Sequence, residues 1–253
     1  MKGFCWTHQA TFETERQMAL YVAGWSGTKD CPECETEYAQ RLRRERFYRA
    51  NIQSRFREKD FDAFQAVSTG QRHALQVARA YCKQFAEHAK TGRSLVFLGR
   101  IGTGKTHLGC SIAAELAFQK WRVLYVTVAE LICNLRAAWA KPVGDSTLFR
   151  LLAQAHEHLS ESLFMDKLAA LDLLVLDEVG RQYGSESERV QLGALMDMRY
   201  QCQRPSVVIS NCDVAGLECY LGEQVVDRLR ESGGEIVFFN WESRRGRSDS
   251  ATA

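Results

Sequence analysis

The chain has 253 residues, 45% of them apolar and 25% charged, with a formal net charge of +2. That is room for one full α/β domain and a small appendage, and the near-neutral balance excludes a molecule whose whole surface grips nucleic acid; any basic surface is local. No segment reaches the roughly 18 consecutive apolar residues of a membrane span, and the N-terminal MKGFCWTHQATFETE lacks the apolar stretch of a signal peptide, so a cytoplasmic protein with no membrane partner is expected.

Residues 1–36 are polar and weakly periodic. They carry two pairs of soft ligands, Cys5-x₂-His8 and Cys31-x₂-Cys34, 22 residues apart. Two-residue spacers let both members of a pair turn onto one ion, and four such ligands suit tetrahedral structural zinc. So short a segment lacks the apolar mass to fold alone, which makes a metal staple reasonable and predicts a zinc-binding domain over 1–36. Pro32 inside the second pair stiffens its turn. The plainer alternative is free thiols beside a solvated histidine. A redox Cys-x₂-Cys fits less well, because no βα junction flanks it. The other six cysteines are scattered in mostly apolar surroundings and read as small core residues.

Residues 37–60 read as a basic linker helix. Arg41, Arg43, Arg44, Arg46, Arg49, Arg55, Arg57 and Lys59 are interleaved with Phe47, Tyr48 and Phe56. Cations neutralise phosphates and aromatics stack on unpaired bases, so single-stranded DNA is a candidate ligand; a solvated or partner-packed helix explains the composition equally well. The main domain is placed at 61–247 and a disordered tail at 248–253. Within it, helical spacing over 70–90 ends at Thr91-Gly92. SLVFLG (94–99) is a short strand, 105–120 a helix, RVLYVTV (122–128) a strand and AELICNLRAAWA (129–140) a helix. One or two helices follow in 148–170, then the strand LDLLVLDE (171–178), a helix over 185–201, the strand PSVVISN (205–211), a helix through LGEQVVDRLRE and the strand EIVFFNW (235–241). Near-continuously apolar strands alternating with helices predict an α/β fold with a five-stranded parallel sheet covered on both faces.

The stretch FLGRIGTGKTHLG joins the first of these strands to the next helix and matches G-x-x-x-x-G-K-[ST] at Gly99, Gly104, Lys105 and Thr106. Glycines let the backbone wrap a phosphate closely while amides and the helix N-terminus face the anion. Gly99, Arg100, Ile101, Gly102, Thr103, Gly104, Lys105, Thr106 and His107 are thus the candidate triphosphate segment. Lys105 supplies a point charge, and Thr106 offers a hydroxyl to Mg²⁺. Asp177, at the end of a buried strand, is a candidate Mg²⁺ residue, and adjacent Glu178 suits a base that orients a hydrolytic water. Asn211, at the end of the fourth main-domain strand, is in a position to reach the γ-phosphate or that water. The alternatives are an incidental glycine turn and an acidic strand end that merely solvates a loop; their joint presence in strand–loop–helix context argues against both.

On GRIGTGKTHLG, LLVLDEVGRQYGSESER, QRPSVVISN, LGEQVVDRLR and FFNWESRR, with FREKDFDAF before them, the chain resembles the AAA+ ATPases of the DnaC/DnaI helicase-loader family, with the transposition helper IstB as a close cousin. The resemblance runs from about residue 56 to 247. It implies Asn211 as sensor 1, Arg228 as an arginine finger on a neighbouring subunit's ATP, and Arg245 as sensor 2, with Arg244 in that place if the register slips. It implies self-association through the ATP sites and no C-terminal lid domain. Related loaders often carry a second arginine four residues before the finger; Gln224 stands there in this chain, which implies slower hydrolysis or weaker subunit contacts.

The expected function is an ATPase that binds a replicative DNA helicase through its N-terminal domain, places it on single-stranded DNA and hydrolyses ATP for release, with ATP, Mg²⁺ and Zn²⁺ as cofactors. A transposition helper that assembles on DNA and directs a transposase is the alternative. A small-molecule kinase fits less well, for lack of a substrate lid, and an inactive nucleotide fold is opposed by intact Lys105, Thr106, Asp177 and Glu178.

Overall fold

The computed structural model describes residues 2–5, 7–13, 19–22, 25–28, 31–140, 147–152, 160–181 and 185–243. Arg244, Arg245 and the expected tail 248–253 lie outside them. The chain divides into two compact units, 1–46 and 47–253.

The first unit holds two antiparallel hairpins, β1 (Lys2–Cys5) with β2 (Ala10–Glu13) and β3 (Ala19–Val22) with β4 (Trp25–Thr28), then the start of helix α1 (Pro32–Arg49). Pro32 occupies the first position of α1, where a missing amide N–H costs nothing, and Glu33 and Glu35 sit in its first turn, favourable to the helix dipole.

The arginine-rich stretch is α-helical only to Arg49, with one further 3₁₀ turn at Ser54–Phe56. Asn51 adopts φ +60°, and the N–H groups of Asn51 and Ile52 donate to the Tyr48 and Phe47 carbonyls at 3.0 and 2.9 Å. That is a helix stop in which a left-handed residue satisfies the last carbonyls, a role asparagine tolerates. Buried Phe47, Ala50 and Ile52 join the core of the second unit, so the chain beyond Arg49 follows packing rather than helical periodicity.

In the second unit, α2 (Thr69–Lys83) opens on a capping box: Ser68 Oγ accepts the Gln71 N–H and Gln71 Oε1 accepts the Ser68 N–H. The expected single helix over 70–90 is interrupted at Gln84 (φ −100°, ψ 9°), where α3 (Phe85–Thr91) begins. The turn lets Phe85 bury edge-on against Trp121, ring centroids 5.0 Å apart. There follow β5 (Leu95–Gly99), α4 (Lys105–Phe118), β6 (Val123–Thr127), α5 (Val128–Ala140), α6 (Thr147–Leu152), α7 (Glu161–Ala169), β7 (Leu173–Val179), α8 (Glu186–Gln201), β8 (Ser206–Ser210), α9 (Val214–Leu221), α10 (Glu223–Arg230) and β9 (Glu235–Phe239).

The strands form one parallel sheet in the order β6-β7-β8-β5-β9. Strand periodicity sorts their side chains onto two faces. Val96, Leu98, Leu124, Val126, Leu174, Leu176 and Val208 belong to one core cluster with residues of α5 to α10. Leu95, Phe97, Val123, Tyr125, Val175, Val207 and Ile209 belong to the other, with residues of α2 to α4. Both faces are covered, which is why the strands read as unbroken apolar runs. Among the described residues, no helix is long and apolar enough to cross a membrane.

Candidate nucleotide site and metal centre

The carboxyl ends of β5, β7 and β8 open on a cavity of about 430 Å³, lined by the phosphate loop from Ile101 to His107, by Asp177, Glu178 and Arg181, by Ser210 and Asn211, and by Phe56 and Lys59. The loop's shape depends on glycine. Gly99 has φ +140°, and a Cβ there would stand 2.4 Å from the Phe239 carbonyl oxygen on the paired strand β9. Gly104, the residue before α4, has φ +99°, and a Cβ would meet Phe64 at 2.6 Å. The loop is tied down from outside by Trp241 Nε1, which donates to the Thr103 carbonyl at 2.9 Å, and braced from within by Thr103 Oγ1, which donates to the Arg100 carbonyl at 2.7 Å. Lys105, 5% exposed, donates from Nζ to the Gly99 and Arg100 carbonyls at 2.7 and 2.6 Å. Its charge therefore already sits inside the loop.

Thr106 and Asp177, expected to share a metal, are in contact: Thr106 Oγ1 donates to Asp177 Oδ2 at 2.8 Å. Tyr125 OH donates to the same oxygen at 2.7 Å, and the Glu178 N–H to Asp177 Oδ1 at 2.6 Å. Asp177 is 3% exposed. Burial raises its pKa despite the three donors. A buried anion with only neutral donors is a seat for a cation, and a carboxylate beside a hydroxyl at an open cavity is the hard-oxygen donor set that Mg²⁺ takes. The residues fit the ion.

Glu178 owes its direction to a break in β7. Leu176 pairs with Val208 but Val179 with Ser210, so one extra residue bulges from β7, and Glu178 adopts φ +61°. Such bulges re-aim side chains at strand ends. The Glu178 carboxylate accepts a hydrogen bond from Arg181, which is itself largely exposed. Asn211 lines the same cavity. His107 lines it too, but its Nε2 donates to the Asp60 carbonyl at 2.7 Å, and Ser111 Oγ donates to the Lys59 carbonyl at 3.0 Å. Both bonds hold the segment before α2 against α4.

Arg228, on α10, does not line this cavity. It donates to Asp197 on α8, and its guanidinium lies 4.9 Å over the Tyr200 ring. Together they line a second cavity of about 300 Å³ that includes Ser94 and Ser206, at the amino ends of β5 and β8. The expected finger and this chain's own phosphate loop thus lie at opposite ends of the sheet. Arg245 and Arg244 fall outside the described residues. Sequence reasoning passed over Tyr125, Arg181 and Trp241; a hydroxyl in the aliphatic run VLYVT was the one signal available for the first.

In the first unit the β1–β2 turn brings Cys5 and His8 together, and the start of α1 supplies Cys31 and Cys34. All four ligand atoms lie within 4.8 Å of one another. Cys5 Sγ is 3.3 Å from Cys34 Sγ and 3.5 Å from His8 Nδ1, and Cys34 Sγ is 3.4 Å from His8 Nδ1. Bonds of about 2.0–2.3 Å to a tetrahedral zinc put ligand atoms about 3.3–3.8 Å apart, so the donor set fits. His8 turns Nδ1 to the thiols, and its Nε2 lies 3.1 Å from Glu37. That carboxylate, then the Cys5 thiol, push the His8 pKa up to about 9. A carboxylate on the far nitrogen is the usual support of a zinc-bound histidine, and metal binding displaces the Nδ1 proton.

A family model described as IstB-like ATP binding protein matches residues 33–151. The chain is 32% identical over 197 residues to the replicative helicase loader DnaC of Buchnera aphidicola subsp. Schizaphis graminum, covering 78% of this chain and 73% of that one. It is 33% identical over 232 residues to the YdaV protein of Escherichia coli strain K12, covering 88% and 85%. Among solved structures, that of a DnaC helicase loader superposes with a TM-score of 0.58 at 22% identity, covering 74% of this chain and 99% of the other, which speaks to the fold. A parallel sheet with a phosphate loop at β5, an Asp-Glu pair at the bulged end of β7 and likeness to these relatives over more than three quarters of the chain lead to one assignment: the chain belongs to the DnaC-type helicase-loader family of AAA+ ATP-binding proteins.

Proposed function

We propose that this chain loads a replicative DNA helicase onto single-stranded DNA, with ATP hydrolysis driving its own release. The observation that carries the reading is the single cavity in which the phosphate loop, the Thr106–Asp177 pair and Glu178 meet, on a chain that shares 32% identity with a replicative helicase loader over most of its length.

In this reading, Lys105 exchanges its two loop carbonyls for β- and γ-phosphate oxygens, which costs little because its charge is already in place. The loop amides and the first turn of α4 face the anion. Bound Mg²⁺ supplies charge neutralisation between the phosphates. Thr106 offers its oxygen to that ion while keeping its proton on Asp177. Glu178 leaves Arg181 and orients a water, and Asn211 bonds that water or the γ-phosphate. Arg228 leaves Asp197 to reach the nucleotide of a second copy, so the chain self-associates through its ATP sites. Arg245 keeps the expected sensor 2 role. Zinc at Cys5, His8, Cys31 and Cys34 holds the first unit, which contacts the helicase, and the arginines of the 37–60 stretch meet the DNA backbone.

The test is loading of the host helicase onto closed single-stranded circles. Wild type supports loading and turnover. Lys105→Ala loses nucleotide binding, and Glu178→Gln binds nucleotide with turnover reduced at least about a hundredfold, the usual worth of a positioned base. Mixing Arg228→Ala with Lys105→Ala chains restores some turnover, because one supplies the finger and the other the loop. Normal turnover by Glu178→Gln overturns its role, and stimulation of a transposase in place of helicase loading overturns the function.

A further inference from the structure

Tyr125 belongs to none of the motifs that located the nucleotide site. It stands in the middle of β6, 1% exposed, and reaches across to β7, where its hydroxyl donates to Asp177 Oδ2. That oxygen also accepts the Thr106 hydroxyl, and Oδ1 accepts the Glu178 N–H. A carboxylate oxygen has two lone-pair directions, so Tyr125 and Thr106 together fill Oδ2. The consequence falls on Thr106. Its single proton is committed to Asp177, which leaves its oxygen lone pairs for a metal. Tyr125 is held in turn: its N–H donates to the Ala50 carbonyl at 2.8 Å, and its carbonyl accepts from Asn51 Nδ2 at 3.0 Å.

We infer that Tyr125 is a positioning residue for Mg²⁺–nucleotide binding, its hydroxyl fixing the Asp177 carboxylate so that Thr106 turns its lone pairs to the metal. The inference rests on the nucleotide reading above. Phenylalanine fills the same space but leaves Asp177 held only by the Thr106 hydroxyl and the Glu178 N–H; with one direction on Oδ2 vacated, the Thr106 hydroxyl is no longer confined to the other. The phosphate loop and Lys105 are untouched, so the deficit appears only when metal takes part.

The test is equilibrium binding of a fluorescent ATP analogue to the full chain, once in EDTA and once across a Mg²⁺ titration. Y125F keeps wild-type affinity in EDTA and raises the half-saturating Mg²⁺ about tenfold, the equivalent of one hydrogen bond to a charged group. In a D177N background, Y125F adds nothing. Asn51→Gly suits the left-handed backbone at Asn51 and removes the amide that holds the Tyr125 carbonyl and Glu130 Oε1, so with Glu130→Gln as its control it serves as a second arm should Y125F fold poorly; a higher Mg²⁺ midpoint is expected in Asn51→Gly and not in the control. An unshifted midpoint, an equal loss of affinity in EDTA, or a further loss on top of D177N overturns the inference. Wild type that binds nucleotide with no response to Mg²⁺, or K105A that binds it normally, overturns the nucleotide reading itself.

Discussion

Replacing Arg199 tests whether the second unit is held by a buried cation. The side chain is 0% exposed, and among the described residues no carboxylate forms an ion pair with it. Nε donates to Ser206 Oγ at 2.9 Å, Nη1 to the Leu168, Ala169 and Leu171 carbonyls at 2.7, 3.4 and 3.1 Å, and Nη2 to the Pro205 carbonyl at 2.5 Å. The guanidinium thus closes the C-terminal end of α7 and anchors the start of β8. Arg199→Met keeps most of the aliphatic packing and takes the donor from four buried carbonyls. At about 1–3 kcal/mol each, these cost roughly 4–12 kcal/mol. Against this, burial has pushed the Arg199 pKa down to about 9 from an ordinary value near 12.5, a penalty of about 5 kcal/mol that the substitution removes. The mid-range difference is a net loss of about 3 kcal/mol, or a fall in Tm of roughly 6–12 °C for a unit of this size. Arg199→Ala adds a cavity and about 2–4 kcal/mol more. Calorimetry at pH 7 reads both variants. A higher Tm for Arg199→Met would refute the reasoning, because the burial penalty would then exceed the worth of the bonds.

The purified chain is expected to carry about one zinc, lost in Cys31→Ser by metal analysis, and Glu37→Gln should release it to a chelator roughly 10–100 times more readily; a full zinc complement in Cys31→Ser would remove the ion from that cluster. His88, 5% exposed and stacked on Tyr81 at 4.8 Å, has its pKa lowered first by burial and then by Arg93. The unfolded chain therefore binds its proton more readily than the folded one. The stability contributed by neutral His88 is fully present above about pH 6.5 and declines as pH falls below it. Urea midpoints at pH 7.5 and 5.5 should converge in His88→Gln; a slope identical to wild type would count against it. Gly99→Ala, whose methyl meets the Phe239 carbonyl, should lower nucleotide affinity and Tm together, and a well-folded variant with wild-type affinity would contradict the close approach.

The five strands, the phosphate loop and the Asp177-Glu178 pair were legible in the sequence because each depends on local chemistry. Apolar runs of strand length mark a sheet covered on both faces, and Gly99, Gly104, Lys105 and Thr106 can do their work only between a strand and a helix. The four zinc-ligand candidates were legible for the same reason, since two-residue spacing is itself a geometric statement. Helix ends were less so: nothing local at Gln84 breaks the periodicity, and α1 stops at Arg49 because Phe47 and Ile52 are drawn into a core that periodicity does not report. Tertiary structure alone decided that one residue of β7 bulges and turns Glu178 to the cavity, that Arg199 is buried while neighbouring Tyr200 is exposed, that Arg228 faces the amino ends of the strands, and that Tyr125 touches Asp177. The physical reason is common to all four. Residue type and spacing specify what a side chain is able to do, whereas desolvation and partnership depend on which distant segment packs beside it, and strand order is set by the sum of many burial terms rather than by any one residue.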